Sequence, residues 1–178
     1  MEKTQQKRQQ LTEQMADYLL QHGFREFTLR SLGIATGTSD RMLLHYFADK
    51  RDLLTATLML VSDRLIAGLQ NIQPGRMSQQ QLIQFLAELI GSPEITPYTN
   101  LWLELTAVAI REGEPYRSVA AQIADTFLDW IKLSLNAKDT PKRDESAAFV
   151  LAVVEGLVLL NAVGKSDEAI RAIKWVMR

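Results

Sequence analysis

Apolar residues recur at helical spacing along nearly the whole chain, and no run of alternating β-branched residues stands between turn signals. A sequence patterned this way can bury its apolar surface only by packing helix on helix, so an all-α fold is expected. Leu11, Met15, Tyr18 and Leu19 fall on one face of a first helix, which Gly23 ends as its C-terminal cap. Thr28 is the expected N-cap of a short helix running to about Ala35, Gly37 supplies the positive φ of a tight turn, and Ser39 caps the next helix. Asp49 begins a longer one, with Leu53, Leu54, Thr57, Leu58, Val61 and Leu65 along its stripe.

Farther on, prolines and glycines act as punctuation. The stretch from Asn71 to Met77, with Pro74 and Gly75, is the expected boundary between two structural units. Ser78 and Gln81 have capping-box spacing at the start of a helix reaching about Ile90. Thr96 with Pro97, and Thr140 with Pro141, read as N-caps followed by proline at the first helical position. Pro115 begins another helix, striped by Val119, Ile123, Phe127, Trp130 and Ile131. The helix from Lys142 to about Val163 is apolar nearly all round, and a last one runs from Ser166 to Met177. The apolar tract over 147–164 carries Glu155 and Asn161, groups that a bilayer span of ~20 residues excludes. It reads as a buried helix with no membrane partner.

Composition narrows the function. With 47% apolar and 23% charged residues the chain has globular rather than disordered usage. The formal net charge of -1 leaves no global basic field, so any nucleic-acid contact must be local. The absence of cysteine excludes disulfides, zinc knuckles and thiol catalysis and fits a reducing cytoplasm; the polar first ten residues lack a secretory apolar stretch. His22 and His45 share no ligand-like spacing with a carboxylate or a second histidine, so no metal is expected. No G-x-S-x-G, P-loop, G-x-G-x-x-G or H-E-x-x-H motif is present, which argues against an enzyme and against a bound cofactor.

The informative stretch is HGFREFTLRSLGIATGTSDRMLLHYFADKRDLL. Two short helices about a glycine turn, following a helix that ends at Gly23, have the layout of a helix-turn-helix whose second helix enters the DNA major groove. Over about residues 11–60 the chain resembles the TetR family of bacterial repressors. The likeness lies in the Gly-Phe pair, the threonine before a short helix, the recognition helix ending in an aromatic-Phe pair, and the lysine and leucine that follow. It implies a DNA-binding domain of three helices over 1–55 and a helical ligand-binding and dimerisation domain over 56–178. Leu32, Gly37, Leu43, Phe47 and Leu53 look like scaffold. Ser39, Asp40, Arg41, Met42, His45 and Tyr46 fall where family members face the groove; Lys50 looks like a phosphate contact, and Thr28 offers another. Arg41 is the expected base reader, since a guanidinium can bond guanine O6 and N7 together. Asp40 and Leu44 depart from the family's neutral or basic residue and tyrosine, although Asp40 can accept from cytosine N4. Gly33 replaces a helix-favouring alanine, at roughly 0.5 to 1 kcal/mol unless close packing needs it.

The implied function is a ligand-responsive regulator, read as a repressor, that binds a palindromic operator as a homodimer and is released by a small, largely apolar molecule. The competing reading is a helical module that binds a ligand or protein and has weak or lost DNA binding. Val150, Val153, Val154, Leu157 and Leu160 cover more of their helix than one intrachain neighbour buries and are the expected dimer interface. Phe85, Tyr98, Trp102, Phe127 and Trp130, beside polar Glu104 and Asn161, have the composition of a small-molecule pocket, with Glu104 as its charged group.

Overall fold

The computed structural model describes residues 2–72, 75–136 and 140–176. Among them it has nine α-helices: α1 (Glu2–His22), α2 (Leu29–Ala35), α3 (Asp40–Tyr46), α4 (Lys50–Ile72), α5 (Gln79–Leu89), α6 (Thr96–Glu112), α7 (Tyr116–Ser134), α8 (Thr140–Ala162) and α9 (Ser166–Val176). A single 3-10 turn, Phe24–Glu26, lies between α1 and α2. The all-α expectation therefore holds. Pro74 and the side chains of Thr140 and Pro141 lie outside the described residues.

The local stop and start signals act as the sequence implies. Thr28 accepts from the Ser31 N–H at 3.1 Å, Ser39 from the Met42 N–H at 3.3 Å and Ser78 from the Gln81 N–H at 3.2 Å, each satisfying a donor the first helical turn leaves open. Thr96 differs. Its hydroxyl donates back to the Ser92 carbonyl at 2.7 Å, while Ser92 Oγ accepts the Ile95 N–H at 3.3 Å. A turn from Ser92 runs straight into α6, so the earlier serine does the capping.

Two compact units divide the chain: residues through Leu65 with Asn100–Ile123, and Ile66–Thr99 with the residues from Ala124 on. In the first, Leu11, Met15 and Leu19 of α1 are fully buried, as are Leu32, Leu43 and Leu53. Gly33 is what lets the end of α2 meet the start of α3. A Cβ there would stand 3.0 Å from the Thr38 carbonyl oxygen and 3.2 Å from Asp40 Oδ1. The close packing that justifies a glycine within a helix is thus present. Arg8 fixes the far end of α3: its guanidinium lies 4.9 Å from the centre of the buried Phe47 ring and bonds Asp52 Oδ1 at 2.6 Å. From α4, Arg64 ties down α1 by bonding Asp17 at 2.7 Å and also Glu13.

In the second unit α5 packs on α8 and α9, and α8 on α9. Leu82, Ile83 and Leu86 are buried there with Ala147, Val150, Val154, Leu157 and Val158. Met77 crosses the end of α7, donating to Ser134 O and accepting from Asn136 N–H, both at 2.8 Å. Among the described residues one helix, Lys142–Ala162, is long and apolar enough to cross a membrane by length and composition.

Candidate nucleic-acid interface

The recognition candidate, α3, is organised around Leu43, which is 0% exposed. At ~100° per residue, Arg41 and His45 lie about 160° to either side of Leu43 and face outward, whereas Leu44 and Met42 flank them at about 100°. Asp40, Arg41, Met42, Leu44 and His45 are exposed; Tyr46 is half-buried, its ring edge-on to His45 at 5.2 Å. Asp40 sits at the helix N-terminus, where a carboxylate is favourable, and lies against Gly33 of α2.

Neutral bookkeeping hides an uneven charge distribution. Asp52 is held by Arg8 and also accepts the Ala48 N–H at 2.9 Å, while Asp49 accepts the Asp52 N–H at 2.8 Å as the cap of α4. Glu13 and Asp17 are engaged by Arg64. By contrast Arg25, Arg30, Arg41 and Lys50 are exposed and make no ion pair among the described residues. Arg25 and Arg30 were not singled out from the sequence. Arg30 had a readable signal, since it stands two residues, about 200°, from the buried Leu32 on a helix and must point outward. Ser39 is engaged as the cap of α3, and Thr28 is exposed with its hydroxyl in the cap of α2.

The entry to the helix-turn-helix is held from a distant part of the chain. Gly23, at φ 77°, turns the backbone out of α1, and the following Phe24 N–H donates to the Glu104 carboxylate of α6. A Cβ on residue 23 would lie 2.9 Å from that carboxylate, so glycine serves both the turn and the approach. Tyr116 packs edge-on against Phe24 at 5.9 Å, and Arg51 bonds Ser118 Oγ at 3.2 Å. Glu104, read from the sequence as the charged group of a pocket, accepts the amide hydrogen bond at this corner. Glu104→Ala is expected to lower unfolding free energy by ~1.5 to 3 kcal/mol, because a charge-assisted bond is lost. Glu104→Gln, which still offers a carbonyl oxygen, should lose less; equal losses in denaturant titrations would contradict this role.

The other residues read as a pocket divide between the units: Trp102 is in the first, and Phe85, Tyr98, Phe127, Trp130 and Asn161 in the second. Phe127 and Trp130 stack at 5.4 Å, with Trp130 buried. Asn161 accepts from Ser166 Oγ at 2.9 Å and lies beside Gly91. Of the residues expected to join a second copy, Val150, Val154 and Leu157 are buried within the chain, while Val153 and Leu160 are half-buried. Beyond its polar first turns, the exposed positions of α8 are Ala148, Phe149, Ala152, Gly156, Leu159 and Ala162, followed by Val163 just beyond its end. No group of His, Cys, Asp and Glu able to hold a metal occurs among the described residues.

Residues 16–57 match the family model of bacterial regulatory proteins, tetR family. No curated protein matches the chain. The fold is similar along nearly its whole length to a structure described as a TetR-family transcriptional regulator from Rhodococcus sp., at 22% identity and TM-score 0.73, covering 99% of this chain and 97% of that one. It is also similar to a transcriptional regulator from Saccharomonospora viridis in complex with choline, at 16% identity and TM-score 0.66, covering 96% and 94%. A third is FadR from Bacillus subtilis in complex with stearoyl-CoA, at 13% identity and TM-score 0.54, covering 93% and 96%.

Proposed function

We propose that the protein, whose residues 16–57 match the family model of bacterial regulatory proteins, tetR family, represses transcription as a homodimer bound to an inverted-repeat operator and is released by a small, largely apolar molecule. The observation that carries this reading is the outward face of α3, where Arg41 is exposed and free of internal partners beside His45. A guanidinium held this way on a short, capped helix can turn onto a base edge without first breaking an ion pair. Lys50, Arg30 and Thr28 supply phosphate contacts around it, which fix register without reading sequence.

Dimerisation is supported by α8. Among its exposed positions, 149, 152, 156, 159 and 163 follow the alternating three and four spacing of a helix-pairing seam, and Ala152 and Gly156 leave room for a neighbouring helix. Ile170 and the 75%-exposed Trp175 of α9 extend the apolar surface. Two reading helices related by a two-fold axis then meet half-sites ~34 to 36 Å apart.

Effector control is supported by the proteins of this fold that hold choline and stearoyl-CoA. A hydrophobic library with neutral and cationic members should yield a compound that raises the melting temperature, and operator DNA must weaken that compound's binding by the factor by which the compound weakens operator binding. Hits that bind equally well with and without operator would remove the regulatory mechanism.

The direct test is retardation of random duplex DNA at low salt, followed by selection of preferred duplexes. Weak nonspecific binding that falls steeply with salt is expected, together with an enriched inverted repeat. No retardation at any salt concentration would leave a helical ligand- or protein-binding module instead.

A further inference from the structure

We propose that Leu44 is a specificity-determining residue that reads the 5-methyl group of a thymine one or two base steps from the base contacted by Arg41. This rests on the reading of α3 as the DNA-recognition helix. Leu44 is 44% exposed, whereas Leu43 is the fully buried anchor of α3, so a large part of the Leu44 side chain is open to a partner. It stands three residues after Arg41, and at helical spacing the two share a flank of the outward face. Met42, 41% exposed, holds the same relation to His45 on the other flank.

The edges of base pairs in the major groove present donors and acceptors together with one apolar group, the thymine methyl. An exposed leucine beside an unpaired arginine therefore has one matching feature to cover in that groove. Three helical residues rise ~4.5 Å, and successive base pairs stand ~3.4 Å apart. The thymine should accordingly lie one or two base steps from the guanine that Arg41 reads, on either strand. A tyrosine, which the family's pattern has at this position, carries a hydroxyl able to bond a phosphate; a leucine lacks it and can make only an apolar contact.

The test uses the full chain and duplexes enriched from a random pool. Each thymine of the enriched site is replaced in turn by deoxyuridine, which removes the methyl and leaves base pairing intact. One thymine per half-site should show a loss of about fourfold, the worth of one buried methyl-sized group, and the symmetric double replacement about fifteenfold. Leu44→Ala should bind thymine and uracil versions of that site equally. Its melting temperature should stay near wild type, because the position is half in solvent and alanine favours helix. A uracil penalty that persists in Leu44→Ala, or an enriched site whose uracil versions all bind as tightly as the original, overturns the assignment while leaving the operator reading in place. Failure to enrich any duplex overturns both.

Discussion

Leu159→Glu is expected to yield a monomer that keeps its helical content and melts cooperatively but binds operator DNA at least a hundredfold more weakly. Leu159 is 55% exposed in the isolated chain, so a carboxylate there stays hydrated and the fold of the protomer is spared. In a dimer joined through α8 the same carboxylate would be buried without a partner, at a cost of several kcal/mol. DNA affinity falls with it, because joining two reading heads raises affinity by 10² to 10⁴ through effective concentration alone. Leu157→Glu makes the contrast. Leu157 is buried within the chain, so the same substitution should unfold or aggregate the protein rather than merely split it. Sedimentation and circular dichroism separate the two outcomes, and a Leu159→Glu protein that remains dimeric would move the interface off this face of α8.

The second large effect lies on α3. Arg41→Ala should cost ~1 to 3 kcal/mol on the selected operator and relax preference at one base position, with random duplex affected much less. Lys50→Ala and Arg30→Ala should instead weaken all sequences alike, each reducing the steepness of the salt dependence by about one contact. The distinction follows from what each side chain can reach: Arg41 stands on the outward face of α3, whereas Lys50 begins α4 and Arg30 lies on α2. Equal losses on operator and random DNA for Arg41→Ala would make it another phosphate contact.

What was legible in the sequence and what was not divides along the distance over which the causes act. Helix caps at Thr28, Ser39 and Ser78 close hydrogen bonds three residues away, and apolar stripes repeat within a few turns, so composition and spacing determine the helices, the turn between α2 and α3, and the outward direction of Arg41. At Thr96 spacing pointed to the cap, whereas the N–H at the start of this turn, that of Ile95, is accepted by Ser92 Oγ.

Other features depend on residues far apart in the chain. Glu104 meets the Phe24 amide across 80 positions, and no property of either residue announces the other. The carboxylates that neutralise Arg8 and Arg64 come from other helices, which is why an almost balanced charge count conceals free cations on α2, α3 and the start of α4. From Ala147 on, helix α8 is apolar nearly all round, so its periodicity carries little phase. Only packing against α5 and α9 decided that Val150, Val154 and Leu157 turn inward and that Phe149, Leu159 and Val163 remain exposed. Sequence patterns determine a helix's ends and, when it is amphipathic, its buried face; tertiary contacts decide the face of a uniformly apolar helix and the partner of a polar group, because those free energies depend on which distant groups share the same desolvated space.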